Sequence, residues 1–322
     1  MILPYIVLVV ILFLLELFYF RQARKFSIID KPNNRSSHET PTIRGGGVIF
    51  FMAGLIWFVY REFKWPWMMA GLTLLALISF LDDLKPRSAL WRFVMHAAAV
   101  LFIFYQVPLF DWPWWLVAMA LIVCIGALSA FNFMDGINGI TGIYALVSLG
   151  SFAWINWYSI AFTDDTLIFV LISSVLVFLF FNFRKRAACF AGDVGSITIA
   201  FVQIFFLLQL IHKTNNFYWV LIFLVYGLDT VITIVYRIRN KENIFMAHRS
   251  HLYQFLSNEL EWDHRFVALT YGIVQCLING ILIYYITVDT TFVPILIAAL
   301  ALILYMISRE YVLRRIKCIS SK

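Results

Sequence analysis

Residues 65–92 read WPWMMAGLTLLALISFLDDLKPRSALWR. Two tryptophans open an apolar run over 65–81, long enough to cross a bilayer, which takes about 20 residues and tolerates about 17. The run ends on adjacent carboxylates, Asp82 and Asp83, and Lys85, Arg87 and Arg92 follow before the next apolar run. Aromatic rings favour the membrane interface, and Lys or Arg in short loops mark the side that is not translocated. This stretch therefore reads as a helix that starts outside and ends in the cytoplasm.

The rest of the chain repeats that pattern. Eleven candidate spans lie near 2–20, 46–60, 65–81, 92–110, 113–131, 140–160, 166–183, 197–212, 217–236, 266–287 and 292–308. Loops 21–45, 82–92, 184–196 and 237–265 and the tail 309–322 hold all of the 25 Lys and Arg residues except Arg61, Lys64 and Lys213. The expected fold is an all-α polytopic membrane protein with about 10–11 transmembrane helices, N-terminus outside and C-terminus cytoplasmic. The first run has no Lys or Arg before it and no small-residue cleavage site, so it reads as a retained span. No repeat, linker or low-complexity stretch divides 1–322, which reads as a single domain.

Composition excludes other classes. At 62% hydrophobic and 13% charged, the chain far exceeds the roughly 45–50% apolar content of soluble domains. The net charge of +7 is dispersed among membrane loops, so it signals topology and anionic membrane lipids, with no nucleic acid partner. Cys124, Cys189, Cys276 and Cys318 show no CxxC spacing and predict neither a disulfide framework nor a zinc site.

The polar chemistry collects in the same inner loops (21–45, 82–92, 131–140, 184–196, 237–265). Asp82-Asp83 ends the third span, where two like charges call for a cation, a basic partner such as Lys85 or Arg87, or water. Asn132-Phe133-Met134-Asp135-Gly136-Ile137-Asn138-Gly139 combines hard oxygen donors of the kind Mg²⁺ takes with glycines that permit close backbone approach. Gly192-Asp193 opens the eighth span, where Asp193 reads as an N-cap or as a link to phosphate through a metal. His248-Arg249-Ser250-His251 offers donors for phosphate oxygens. Arg35, His38 and Arg44 lie in a loop that ends in Gly45-Gly46-Gly47. Asp229 lies about 10 Å inside the ninth span. An acid at that depth marks a functional site by default, with His96 or a helix-facing hydroxyl as the structural alternative. Asp164-Asp165, an isolated outer pair, is assigned no role.

Taken in order, Pro41-Thr42-Ile43-Arg44-Gly45-Gly46-Gly47, Asp82-Asp83, Asn132 to Gly139, Gly192-Asp193 and the His/Arg loop resemble the polyprenyl-phosphate N-acetylhexosamine-1-phosphate transferase superfamily over essentially the whole chain. Each motif alone is weak, whereas the ordered set is specific. The resemblance implies a Mg²⁺-dependent enzyme, with Mn²⁺ as a substitute, in the bacterial inner membrane with a cytoplasmic active site. It implies transfer of an N-acetylhexosamine-1-phosphate from a UDP-sugar to undecaprenyl phosphate, with release of UMP. Asp193 and Asn132 are then the metal ligands, and Asp82, Asp83 and Asp193 the catalytic acids. Arg35, His38, Arg44, Asp135, Asn138, His248, Arg249 and His251 are the substrate-binding residues. A homodimer is compatible with the family.

Three positions depart from the family pattern. Ile43 stands where a second Pro is common, and Gly227 precedes Asp229 where many relatives have Pro. Tyr253 replaces a third His, which argues against the muramoyl-pentapeptide branch and for the branch that initiates O-antigen or other surface polysaccharides. The rival reading from another class is a transporter or lipid flippase. That class places charges at mid-membrane and uses broken helices in repeated halves, features this sequence largely lacks.

Overall fold

The computed structural model describes residues 3–30, 40–85, 88–243, 246, 248–287 and 292–320. The proposed substrate ligands Arg35 and His38, and the proposed partner Arg87, lie outside them. The helices are α1 (Leu3–Lys25), α2 (Val48–Tyr60), α3 (Pro66–Leu84), α4 (Ala89–Gln106), α5 (Trp114–Met134), α6 (Ile140–Tyr158), α7 (Asp165–Asn182), α8 (Gly192–Thr214), α9 (Leu224–Arg239), the short α10 (Leu252–Gln254), α11 (His264–Thr287) and α12 (Phe292–Ser320). Among the described residues ten are long and apolar enough to cross a membrane, with a 3-10 turn at Phe217–Phe223 completing the α9 span. The protein is thus an all-α polytopic membrane protein. The expected span at 46–60 is the 13-residue α2, below the usual crossing length.

Local chemistry starts these helices where the sequence changes character. Pro66 occupies the first turn of α3, where its missing N–H costs nothing. Ser88 caps α4 by accepting from the Trp91 N–H at 3.3 Å. Two expected boundaries move. Asn132 lies inside α5 rather than in a loop, and α12 runs on through the basic tail. At the start of that tail Arg309 is buried, donating to the Ser250 carbonyl at 3.0 Å and to Thr233 Oγ1 at 3.2 Å.

α8 sits at the centre, buried at every residue from Val194 to Leu208. α1 and α12 lie outermost, with apolar side chains such as Val10 and Leu304 exposed as a lipid-facing surface requires. Where the 3-10 turn meets α9, Gln275 of α11 bridges the junction. It accepts from Val225 N–H at 2.8 Å and donates to the Leu221 carbonyl at 3.0 Å.

Asp164, unassigned by sequence, has a structural role. It caps α7 by accepting from the Thr166 N–H at 3.0 Å, and it pairs with Arg61 at 2.7 Å and Lys64 at 2.9 Å. Although burial opposes it, hydrogen bonds from Thr166 and Lys64 and the two positive charges hold the carboxyl down to about 2. Two of the three cations in the opposite set of loops are therefore matched by one acid.

Two short strands that the sequence does not announce, β1 (Ile29–Asp30) and β2 (Thr42–Ile43), pair antiparallel and deliver Arg44 and the glycines to the start of α8. The Phe190 N–H donates to the Ile43 carbonyl at 2.8 Å, and the Gly46 and Gly47 N–H groups donate to Phe190 and Ala191 at 2.8 and 3.0 Å. Gly47 and Gly195 approach so closely that a Cβ on either would overlap the other's backbone. This close approach is the physical reason for a glycine at position 47.

Candidate active site

The site is built around the first turn of α8. Its N-cap position is Ala191, which has no side chain able to cap. Asp83, at the end of α3, supplies the cap from another helix: its carboxylate accepts the Asp193 N–H at 2.9 Å and the Val194 N–H at 3.1 Å. Arg44 Nε donates to the same carboxylate at 2.7 Å, and the Arg44 carbonyl accepts from the Tyr19 hydroxyl at 2.6 Å. Asp193 is therefore not the cap that its position suggested. Its carboxyl is left to face the site, beside that of Asp82 and 3.7 Å from Arg44 Nη2. That last distance is too long for a hydrogen bond.

Asp83 pairs with Arg44 from the glycine loop, and Asp82 pairs with Arg92 of α4 at 3.5 Å.

Two cavities meet at Asp193. The first, about 290 Å³, is lined by Asp30, Arg44, Asp135, Asn138, Asn182 and His264 among others. The second, about 500 Å³, has an apolar wall including Ile78, Phe93, Ile125 and Ile197, with Asp82, Arg92, His96, His248 and His251 among its polar groups. Asn132, Asp193 and Gln254 line both. Asn132 is held by Ser196, whose hydroxyl donates to its Oδ1 at 2.8 Å.

In the first cavity, burial pushes the Asp135 carboxyl up to about 6, against a hydrogen bond from Thr141 at 2.5 Å. Asn138 donates to the carbonyls of Arg184 and Lys185 at 3.0 and 3.4 Å, so its NH₂ fastens the 184–191 loop even as the residue lines the cavity. In the second, burial and positive neighbours push His248 down to about 4. Arg249 lines neither cavity.

The profile of glycosyl transferase family 4 matches residues 65–211, from before α3 to the end of α8. The chain is 27% identical over 256 residues to a probable undecaprenyl-phosphate N-acetylglucosaminyl 1-phosphate transferase of Bacillus subtilis, covering 73% of this chain and 71% of that protein. It is 26% identical over 308 residues to the undecaprenyl-phosphate alpha-N-acetylglucosaminyl 1-phosphate transferase of Yersinia pestis, covering 88% and 84%. The protein of the same description from Escherichia coli K12 is 26% identical over 318 residues, covering 90% and 86%. The chain is thus similar to glycosyl transferase family 4 over residues 65–211 and, over most of its length, to undecaprenyl-phosphate N-acetylglucosaminyl 1-phosphate transferases.

Within this transferase frame the donor set fits a hard divalent cation. Among the described residues no group of three or more His, Cys, Asp or Glu side chains forms a ready-made metal cage. Mg²⁺ does not require one, since it binds through one or two protein oxygens and completes its shell with water and phosphate. The Asp193 carboxylate and the Asn132 carbonyl oxygen, on the wall common to both cavities, are such donors.

Several site residues lie outside the sequence motifs. Asn182 accepts from Gly139 N–H at 2.7 Å and donates to the Cys189 carbonyl at 2.8 Å, tying two loops of the first cavity together. Its only signal is a carboxamide ending an apolar run. Arg92 and His96 show the i, i+4 spacing that places both on one face of α4. Gln254, which accepts from the His251 N–H at 3.2 Å, has no signal beyond adjacency to the His/Arg loop.

Proposed function

We propose that the protein transfers an N-acetylhexosamine-1-phosphate from a UDP-sugar to undecaprenyl phosphate, releasing UMP and initiating a lipid-linked surface polysaccharide, on the cytoplasmic face of a bacterial inner membrane. One observation carries this reading: a polar cavity and a larger cavity with an apolar wall meet at Asp193, Asn132 and Gln254. A soluble nucleotide suits the first and a lipid phosphate the second. The relatives' activities and the basic inner loops support the reading.

In this reaction a lipid phosphate oxygen attacks the β-phosphorus of the sugar nucleotide. The bond from that phosphorus to the bridging oxygen breaks, and UMP leaves with the electron pair. Phosphoryl transfer asks the protein for alignment and charge compensation more than for covalent chemistry. Arg44 and Arg92 supply positive charge on either side of Asp193. Asp83 holds the first turn of α8 in place and is fully engaged as an acceptor, so it is a positioning group and not a free base. No base is needed, because a phosphate monoester with a second pKa of about 6 is mostly dianionic at neutral pH. Asp193 and Asn132 would hold Mg²⁺ or Mn²⁺, whose charge would offset that of the pyrophosphate oxygens.

A transporter or flippase would use paths across the bilayer, and the two cavities instead share the polar end of α8. Exchange separates the readings: with undecaprenyl phosphate present, membranes carrying the protein should incorporate labelled UMP into UDP-GlcNAc. Transport of lipid or nucleotide without exchange would remove the enzyme reading.

A further inference from the structure

The transferase reading gives no task to Asp229, an acid fully buried within α9. Its carboxylate is the most heavily bonded acceptor near the site. Oδ1 accepts from the Leu252 N–H at 3.1 Å, the Tyr305 hydroxyl at 3.0 Å and the Thr233 hydroxyl at 3.3 Å. Oδ2 accepts from the Tyr271 hydroxyl at 2.5 Å and the Tyr253 N–H at 3.5 Å. His251 Nδ1 lies 3.1 Å from Oδ1. A carboxylate only accepts, so Nδ1 carries the proton in that bond.

This fixes what the other edge of the ring can do. His251 is 1% exposed and lines the larger cavity, and its Nε2 is buried without a partner among the described residues. Buried polar atoms are nearly always paired, and leaving one unpaired is costly. A histidine held through Nδ1 presents Nε2 as a lone pair or, once protonated above an acid, as a second N–H donor. The larger cavity is where a phosphate oxygen of the acceptor, or of the donor at the shared wall, would come to lie.

We propose that Asp229 is a positioning residue for the transfer reaction: it orients His251 so that Nε2 makes a hydrogen bond to a substrate phosphate oxygen across the larger cavity. The proposal rests on the transferase reading above. It explains why α9, α11, α12 and the His/Arg loop converge on one carboxylate. Tyr253 adds the other tie, donating to the Phe133 carbonyl at 2.8 Å, so the loop is held against the end of α5 as well.

The test is a double-mutant cycle on the purified full-length chain, assayed with undecaprenyl phosphate and UDP-GlcNAc. Loss of one preorganised donor costs on the order of 100-fold in kcat. His251→Ala should show a loss of that order, and Asp229→Asn at least about tenfold, each with the donor KM within about threefold of wild type. Residues acting through one another are non-additive, so Asp229→Asn should cost nothing further in the His251→Ala background. Added imidazole should restore turnover to His251→Ala several-fold and not to the double variant. Fully additive losses, or equal rescue in both backgrounds, would overturn the proposal. Should Asp229→Asn not fold, a folded His251→Ala protein that imidazole does not rescue overturns it alone. A wild-type chain that makes no product removes both readings; additive losses in an active chain remove only this one.

Discussion

The carboxylate of Asp83, at the end of α3, accepts the backbone N–H of Asp193 at 2.9 Å. One acid thus holds in place the turn that presents another. The two adjacent aspartates of the sequence consequently have different tasks: Asp83 builds the site and Asp82 faces it. Asp83→Ala leaves two first-turn amides of α8 and the Arg44 guanidinium without their acceptor. Each amide stranded away from water costs about 1–3 kcal/mol. The expected result is a clearly lowered unfolding temperature together with loss of turnover, measured on one preparation in detergent.

Asp193→Asn should separate those two effects. Its carboxyl lies beside that of Asp82 and takes no part in capping α8, so the unfolding temperature should stay within a few degrees of wild type while turnover falls to background. Near-normal turnover would remove the metal assignment.

Asp135 carries a pH dependence. Burial raises its pKa from 3.8 to about 6, so the folded protein holds this proton more tightly than the unfolded chain does. The resulting stabilisation is complete below about pH 4 and is lost as pH rises through about 6. Asp135→Asn cannot lose it. Its unfolding temperature relative to wild type should therefore rise between pH 4 and 7, and a difference that stays constant would refute the assignment.

The sequence announces the membrane fold because apolar runs and basic loops report directly on the cost of burying charge in lipid. It also announces which loops meet, since Arg44, Asp82, Asp193 and Asn132 all surround the start of α8. It does not announce pairings. Arg44 and Asp83 lie far apart in the chain, and nothing in a linear pattern distinguishes Arg44 from Lys85 as the partner. Nor does it show that Asp83 caps α8, because a cap from another helix leaves no local signature. Asp229 could be flagged as costly, but its partner His251 becomes evident only once the loop is folded back onto α9.

Asp164 should affect stability alone. It caps α7 and pairs with Arg61 and Lys64 at the end of the bundle away from Asp193. Loss of an N-cap costs about 0.5–2 kcal/mol. Asp164→Ala should lower the unfolding temperature by several degrees and leave kcat within about twofold of wild type.

The most direct test of the central claim is product formation by the purified chain in lipid nanodiscs, with undecaprenyl phosphate and UDP-GlcNAc labelled in the sugar. The account predicts a labelled lipid product and an equal amount of UMP, abolished by EDTA, restored by Mg²⁺ and absent with Asp193→Asn. UDP release in place of UMP, or product formation that persists in EDTA, would contradict it.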